Sequence, residues 1–421
     1  MKLISTYCAA SDQPFDARFA RRWMAVAVGF FGLASVLGTL MRYYYVAEVP
    51  GIPYRYLLHA HSHVALLGWS YLLVSGALLF LLISRPKRQK VYHYLWRANI
   101  VAVAGMAIFF LYQGYGAYSI AFSTLHLLSA YAFAYYFLRD LAREPIASHT
   151  RWVQWSIYWL LVSTVGLWAI APISMTLGKL HPLYFASIQF FLHFQFNGWL
   201  TYAMLGLWIF HRERQGIPIR IPSAGFGLLQ LSLLLTYALS VTWSTPLAVI
   251  FYLNTAGVVL QVAAFYLILR ALLRVANPVR SLTHWTDGLL LFGILCLVAK
   301  VVVQLAVALP AVATISYTIR HYVIGFIHLI TLGAITLTGG ALLLKHHLLP
   351  THALARSGWL LLLVAFVLTE IALFGQGTLL WMRKGFVTYY SEIMVITSAL
   401  FPVAIAIIAM GFYQPAVADS S

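Results

Sequence analysis

Runs of about 20 apolar residues, the length that crosses a ~30 Å hydrocarbon core, recur from one end of this chain to the other. That repetition leaves few folds open, because a segment in lipid must satisfy its backbone polar groups internally, and only helices and closed barrels do so. The runs have the length of helical spans. They fall at 23–47, 57–83, 95–117, 118–138, 152–176, 182–210, 223–241, 247–272, 285–309, 315–344, 358–381 and 388–412. The expected fold is therefore all-α, a polytopic bundle of about twelve transmembrane helices. Composition agrees: 62% of the 421 residues are hydrophobic and 9% are charged, against about 25% charged in soluble domains.

The breakers sit between runs, as SRPK after span two, REP after span four, GIPIRIP after span six and ANP after span eight. Residues 1–22 read as a cytoplasmic N-terminal segment, 23–412 as a single twelve-helix transmembrane domain and 413–421 as a cytoplasmic tail. The first apolar run is too long for a cleaved signal, so it is expected to remain as a span. The net charge of +17 is spread in short clusters between spans, which follows the positive-inside rule and not a nucleic-acid surface. With both ends cytoplasmic, 20 of the 27 basic residues face inward and six face outward. A bacterial inner membrane is the expected location. The two cysteines, Cys8 and Cys296, have no metal-ligand spacing.

Ionisable residues inside spans are costly and call for a reason. Span two contains LLHAHSHVALLGW, with His59 and His63 four apart on one helix face and His61 nearly opposite. Span ten contains RHYVIGFIHLITLG, with His321 and His328 seven apart on one face. His63 lies eight residues past Arg55, and His328 eight past Arg320. At ~1.5 Å per residue both fall ~12 Å inward of their arginines. Each is followed by glycine at +5, Gly68 and Gly333. Two imidazoles at one depth fit axial ligation of a flat iron macrocycle, with the glycines giving the ring access to the backbone. The alternatives are interhelical hydrogen bonding and a zinc site, which usually recruits cysteine or carboxylate as well. His193, in FFLHFQFNGWL of span six, and His126, in span four, read singly as packed polar residues. Lys300 and Glu370 are expected to meet as a buried pair.

On these segments the chain resembles subunit I of the haem-copper oxidase superfamily, which includes oxygen and nitric oxide reductases. The resemblance implies a twelve-helix core with haem b, one or two, toward the outer side. It implies His63 of helix two and His328 of helix ten as low-spin ligands. It places His193 at the helix-six position of an active-site metal, and Arg383 and Lys384 of WMRKGF opposite haem propionates. His59, His321 and His61 are then candidates for a second haem or metal, and Arg55 and Arg320 for further propionate contacts. The family's adjacent helix-seven histidines are missing here, and its helix-ten histidines are two apart instead of seven, so a copper or other second metal is left open. HAHSH and GFIHLITLG are also similar to membrane haem proteins of nitric oxide stress in denitrifying bacteria. The implied function is an electron-transferring, cytochrome b-like oxidoreductase or a protein of small-gas chemistry (NO, O2), its electron donor a quinol or cytochrome c. The rival reading is a histidine-lined metal-ion or solute transporter, which would be marked by paired broken helices; a haem-free scaffold is the third.

Overall fold

The computed structural model describes residues 15–273 and 284–413. Cys8, the ANP breaker at 276–278 and the tail beyond 413 lie outside the described residues. Within them the chain is helical throughout: α1 (Ala17–Tyr43), α2 (Tyr54–Leu82), α3 (Gln89–Gln113), α4 (Ala117–Leu141), α5 (Ser148–Thr176), α6 (182–214), α7 (Ser223–Val241), α8 (Ala248–Leu273), α9 (Trp285–Ala306), α10 (Pro310–Thr318), α11 (Arg320–Lys345), α12 (Ala353–Trp381) and α13 (Tyr390–Tyr413). Eleven of these are long and apolar enough to cross a bilayer. The chain is a multi-pass α-helical membrane protein.

Two of the twelve expected spans differ in detail. Span six forms one continuous helix, α6, but it is not among the eleven, because His193, Gln195 and Asn197 interrupt its apolar run. Span ten does not run unbroken from residue 315. The short α10 stops at Thr318, Ile319 is extended (φ −88°, ψ 100°), and Arg320 opens α11.

Helix ends follow the local chemistry. Asp16 caps α1 by accepting from the Arg18 amide at 2.9 Å. Pro182 and Pro310 stand in the first turns of α6 and α10, where a missing N–H costs nothing. Gly114 ends α3 at φ +62°, and Gly216 takes φ +75° after α6.

The described residues divide into two compact units, 15–146 with 343–365 and 389–413, and 147–273 with 284–342 and 366–388. In the first, Leu57, Ala60 and Val64 of α2 pack with Leu37 of α1 and Val103, Met106 and Phe110 of α3. Polar contacts register these helices: His61 Nδ1 lies 2.8 Å from the Ala34 carbonyl, and Thr39 donates to the Ser398 carbonyl of α13 at 3.0 Å. In the second unit Tyr237 of α7 donates to the Ala186 carbonyl of α6 at 2.8 Å, and Asn254 of α8 to the Val307 carbonyl at 3.0 Å.

The few acids mostly tie the connections down. Tyr92 donates to Asp140 at 2.8 Å, the Ser84 amide to Glu144 at 2.7 Å, and His149 pairs with Glu213 at 2.6 Å.

Gly166 of α5 sits where a Cβ would run into the Ser187 carbonyl of α6, whereas Gly29 of α1 has open space. Gly166→Leu is expected to cost about 1–3 kcal/mol by overpacking, and Gly29→Leu close to nothing. Thermal melting of the detergent-solubilised variants measures the difference.

Candidate functional site

Each of three helices widens into a π segment immediately after an intramembrane histidine. In α2 it covers Val64–Ser70 behind His63, in α6 Phe194–Leu200 behind His193, and in α11 Leu329–Leu337 behind His328. π segments within α-helices are rare and are frequent at functional sites. The local sequences explain why they form alike: HVALLGWS, HFQFNGWLT and HLITLGAIT all place glycine five residues after the histidine. At or next to the end of each segment a hydroxyl reaches back five residues. Ser70 donates to the Ala65 carbonyl at 3.1 Å, Thr201 to Phe196 at 2.7 Å and Thr336 to Thr331 at 2.8 Å. A widened turn brings that carbonyl beneath the hydroxyl, so the side chain adds a second donor to a backbone group within the wide turn.

Sequence reasoning found this spacing at His63 and His328 and missed the third instance at His193. The signal was present, since GW follows at the same offset in 63–69 and 193–199.

The glycines do a different job from the one expected. A Cβ on Gly68 would meet Val103 at 2.9 Å and Phe30 at 3.0 Å; on Gly198, Trp159 at 2.7 Å; on Gly333, Phe366 at 2.8 Å and Cys296 at 3.0 Å. Neighbouring helices take up the space beside all three. They serve close helix packing, since small residues in a membrane are where helices can approach, and side chains occupy the space directly beside them.

The three histidines have different settings. His63 is half-buried, and its Nδ1 lies 2.8 Å from the His59 carbonyl one turn back. That contact requires Nδ1–H and leaves Nε2 as the lone-pair donor. Nε2 faces the Tyr115 hydroxyl at 3.4 Å, and Tyr115 also packs edge-on against His59, ring centroids 4.5 Å apart. His328 is half-buried too, with Nδ1 3.9 Å from the Glu370 carboxylate of α12. His193 is buried and commits Nε2 to the Leu233 carbonyl of α7 at 2.8 Å, while Nδ1 faces Asn197 at 3.3 Å and Ser240 at 3.5 Å. Its two nitrogens are both engaged with protein groups, the pattern of a helix-joining histidine.

The other candidates are placed as follows. His61 turns to α1, with Gly38 making room for its ring. His126 bonds the Leu67 carbonyl inside the first π segment at 3.2 Å. His321 lies near Phe386, ring centroids 5.9 Å apart. Arg55 and Arg320 are exposed in the first turns of α2 and α11. Arg383 and Lys384 are exposed in the turn after α12, where Arg383 has φ +58°. Buried Gln376 fixes that turn by donating to the Gly385 carbonyl and accepting from the Val387 amide, both at 2.9 Å.

The expected Lys300–Glu370 pair does not form. Lys300 is buried in α9, and among the described residues no ion pair includes it. Glu370 faces His328 instead, because the contacts of α12 with α11 set its register.

Among the described residues no three His, Cys, Asp or Glu side chains gather as a metal cage. What the residues do fit is a group that brings its own equatorial ligands and needs single imidazoles. His63 meets that need with Nδ1 held and Nε2 facing only the Tyr115 hydroxyl, and His328 with a carboxylate beside Nδ1. No family model matches the chain, and no curated protein matches it either.

These settings predict opposite responses to truncation. His193→Ala removes a buried hydrogen bond that joins α6 to α7 and is expected to cost about 1–3 kcal/mol. His63→Ala is expected to cost less, since the His59 carbonyl remains within its own helix. Melting temperatures of the two solubilised variants check this.

Proposed function

We propose that this chain is a b-type haem protein of the membrane, with His63 and His328 as axial ligands. The observation that carries the reading is the repeated device at these two residues, a half-buried imidazole held through Nδ1 or flanked there by carboxylate, set directly before a π segment. Fixing one ring nitrogen is how ligand histidines are oriented and made basic, and it leaves Nε2 for the metal. Exposed Arg55 and Arg320, near the histidine-bearing stretches, and Arg383 and Lys384 offer donors for carboxylates such as haem propionates. Bound haem would supply a one-electron iron couple and, with an open axial position, a place for nitric oxide or oxygen.

His59 and His321 stand one and two turns before the ligand histidines and belong to the same proposal, as candidates for a second haem or metal. Tyr115 covers Nε2 of His63 in this structure, so ligation at that nitrogen requires the phenol to turn aside. Its position between Gly114 and Gly116, in a connection between helices, allows that turn. His193 stays in the polar core. The reading also carries a bacterial inner membrane, both termini cytoplasmic, and an electron donor of quinol or cytochrome c type.

The purified protein, expressed with haem supplementation, is expected to show a Soret band. His63→Ala and His328→Ala should each remove low-spin signal, and His59→Ala should keep it. No Soret band in the wild type, or full signal in both ligand variants, rejects the proposal. Orientation has its own check: an alkaline phosphatase fused at the C-terminus is expected to be inactive, and a fluorescent protein fused there to shine.

A further inference from the structure

Glu370 is an unusual residue for its position. It lies in the middle of α12 with 12% of its side chain exposed, and among the described residues neither carboxylate oxygen has a hydrogen-bond partner. A carboxylate in that setting is costly and keeps its place only through a partner or a task. Facing it is the His328 imidazole, Nδ1 to Oε1 at 3.9 Å.

The facing helices hold that pair in register. Phe366, one turn before Glu370, fills the space beside Gly333 at 2.8 Å from where a Cβ would stand. Phe374, one turn after, fills the space beside Gly325 at 2.9 Å. A turn further, Thr378 meets the Tyr322 hydroxyl at 3.1 Å. Phe366, Glu370, Phe374 and Thr378 form one stripe of α12, and it runs along Gly333, His328, Gly325 and Tyr322 of α11. The glycines above and below let the helices close, so Glu370 cannot drift from His328 without undoing two packed contacts. A small side-chain rotation covers the remaining distance to a hydrogen bond of about 2.8 Å.

We infer that Glu370 is the positioning residue of His328, accepting its Nδ1–H and so setting the tautomer in which Nε2 is unprotonated. This rests on His328 being a haem ligand. It also separates the two ligand histidines. His63 leans on a neutral backbone carbonyl, while His328 leans on a carboxylate, which pushes electron density into the ring and favours the oxidised metal.

The test uses the full-length haem-loaded protein and Glu370→Gln. The amide keeps size and hydrogen-bonding reach but withdraws the charge, so the low-spin spectrum should persist with a more positive midpoint potential. Glu370→Asp should return the potential part of the way. Loss of the low-spin signal from a Glu370→Gln protein that still melts like wild type would also support the role. An unchanged potential with an unchanged spectrum would overturn it. A second measurement does not need haem: melting of His328→Gln, Glu370→Gln and the double variant. Coupled residues give a double variant less perturbed than the two single effects combined, and strict additivity counts against the pairing. A wild type without a Soret band would sink the haem reading alone, and the melting cycle would still decide whether Glu370 and His328 act together.

Discussion

A backbone in lipid has no water to fall back on, and this chain meets that constraint hardest where its helices stop being regular. A π turn adds a residue and displaces carbonyls from their usual donors. At each of the three π segments a hydroxyl five residues on donates to a carbonyl of the wide turn: Ser70, Thr201 and Thr336. In α2 the repair extends further, with His126 reaching the Leu67 carbonyl and Trp23 the Leu72 carbonyl. Much of the polar side-chain content near these segments is therefore backbone accounting. Only polar groups left over from that accounting are available for chemistry.

That criterion separates histidines the sequence presents as equals. His61, His126 and His193 each contact a carbonyl on another helix, so their rings act as struts. His63 contacts a carbonyl of its own helix, which joins nothing and only orients the ring. His328 stands beside a carboxylate that is tied to nothing else among the described residues. One local backbone device thus occurs three times, with a structural outcome in α6 and outcomes suited to ligation in α2 and α11.

The helices were legible because bilayer thickness writes itself directly into run length, and the turns because proline and glycine have few other uses there. Span six was legible as a helix, though its polar centre sets it apart from the other spans. The π segments were not legible. Nothing in H-x4-G states which amide will bond to which carbonyl, and that choice depends on the hydroxyl at the far end and on helices packed alongside. The role of the glycines was hidden for a related reason. A sequence records that Gly333 lacks a side chain, but not that Phe366 and Cys296 occupy the room. Lys300 and Glu370 were paired on charge and depth alone. Helix register decides such pairings, and register here is set by Phe366 and Phe374, which carry no charge.

The acids make the same point. The chain has ten, and Asp140, Glu144 and Glu213 each bond groups at helix ends or connections. Removing any of them loosens a join. Glu370 joins nothing of that kind. A buried ionisable group can often be exchanged for an apolar one of similar size with no loss of stability, and the phenylalanines on either side show that this stripe of α12 accepts apolar residues. A carboxylate kept there costs desolvation free energy without holding the fold together. The imidazole opposite it is a neighbour that can make use of its charge.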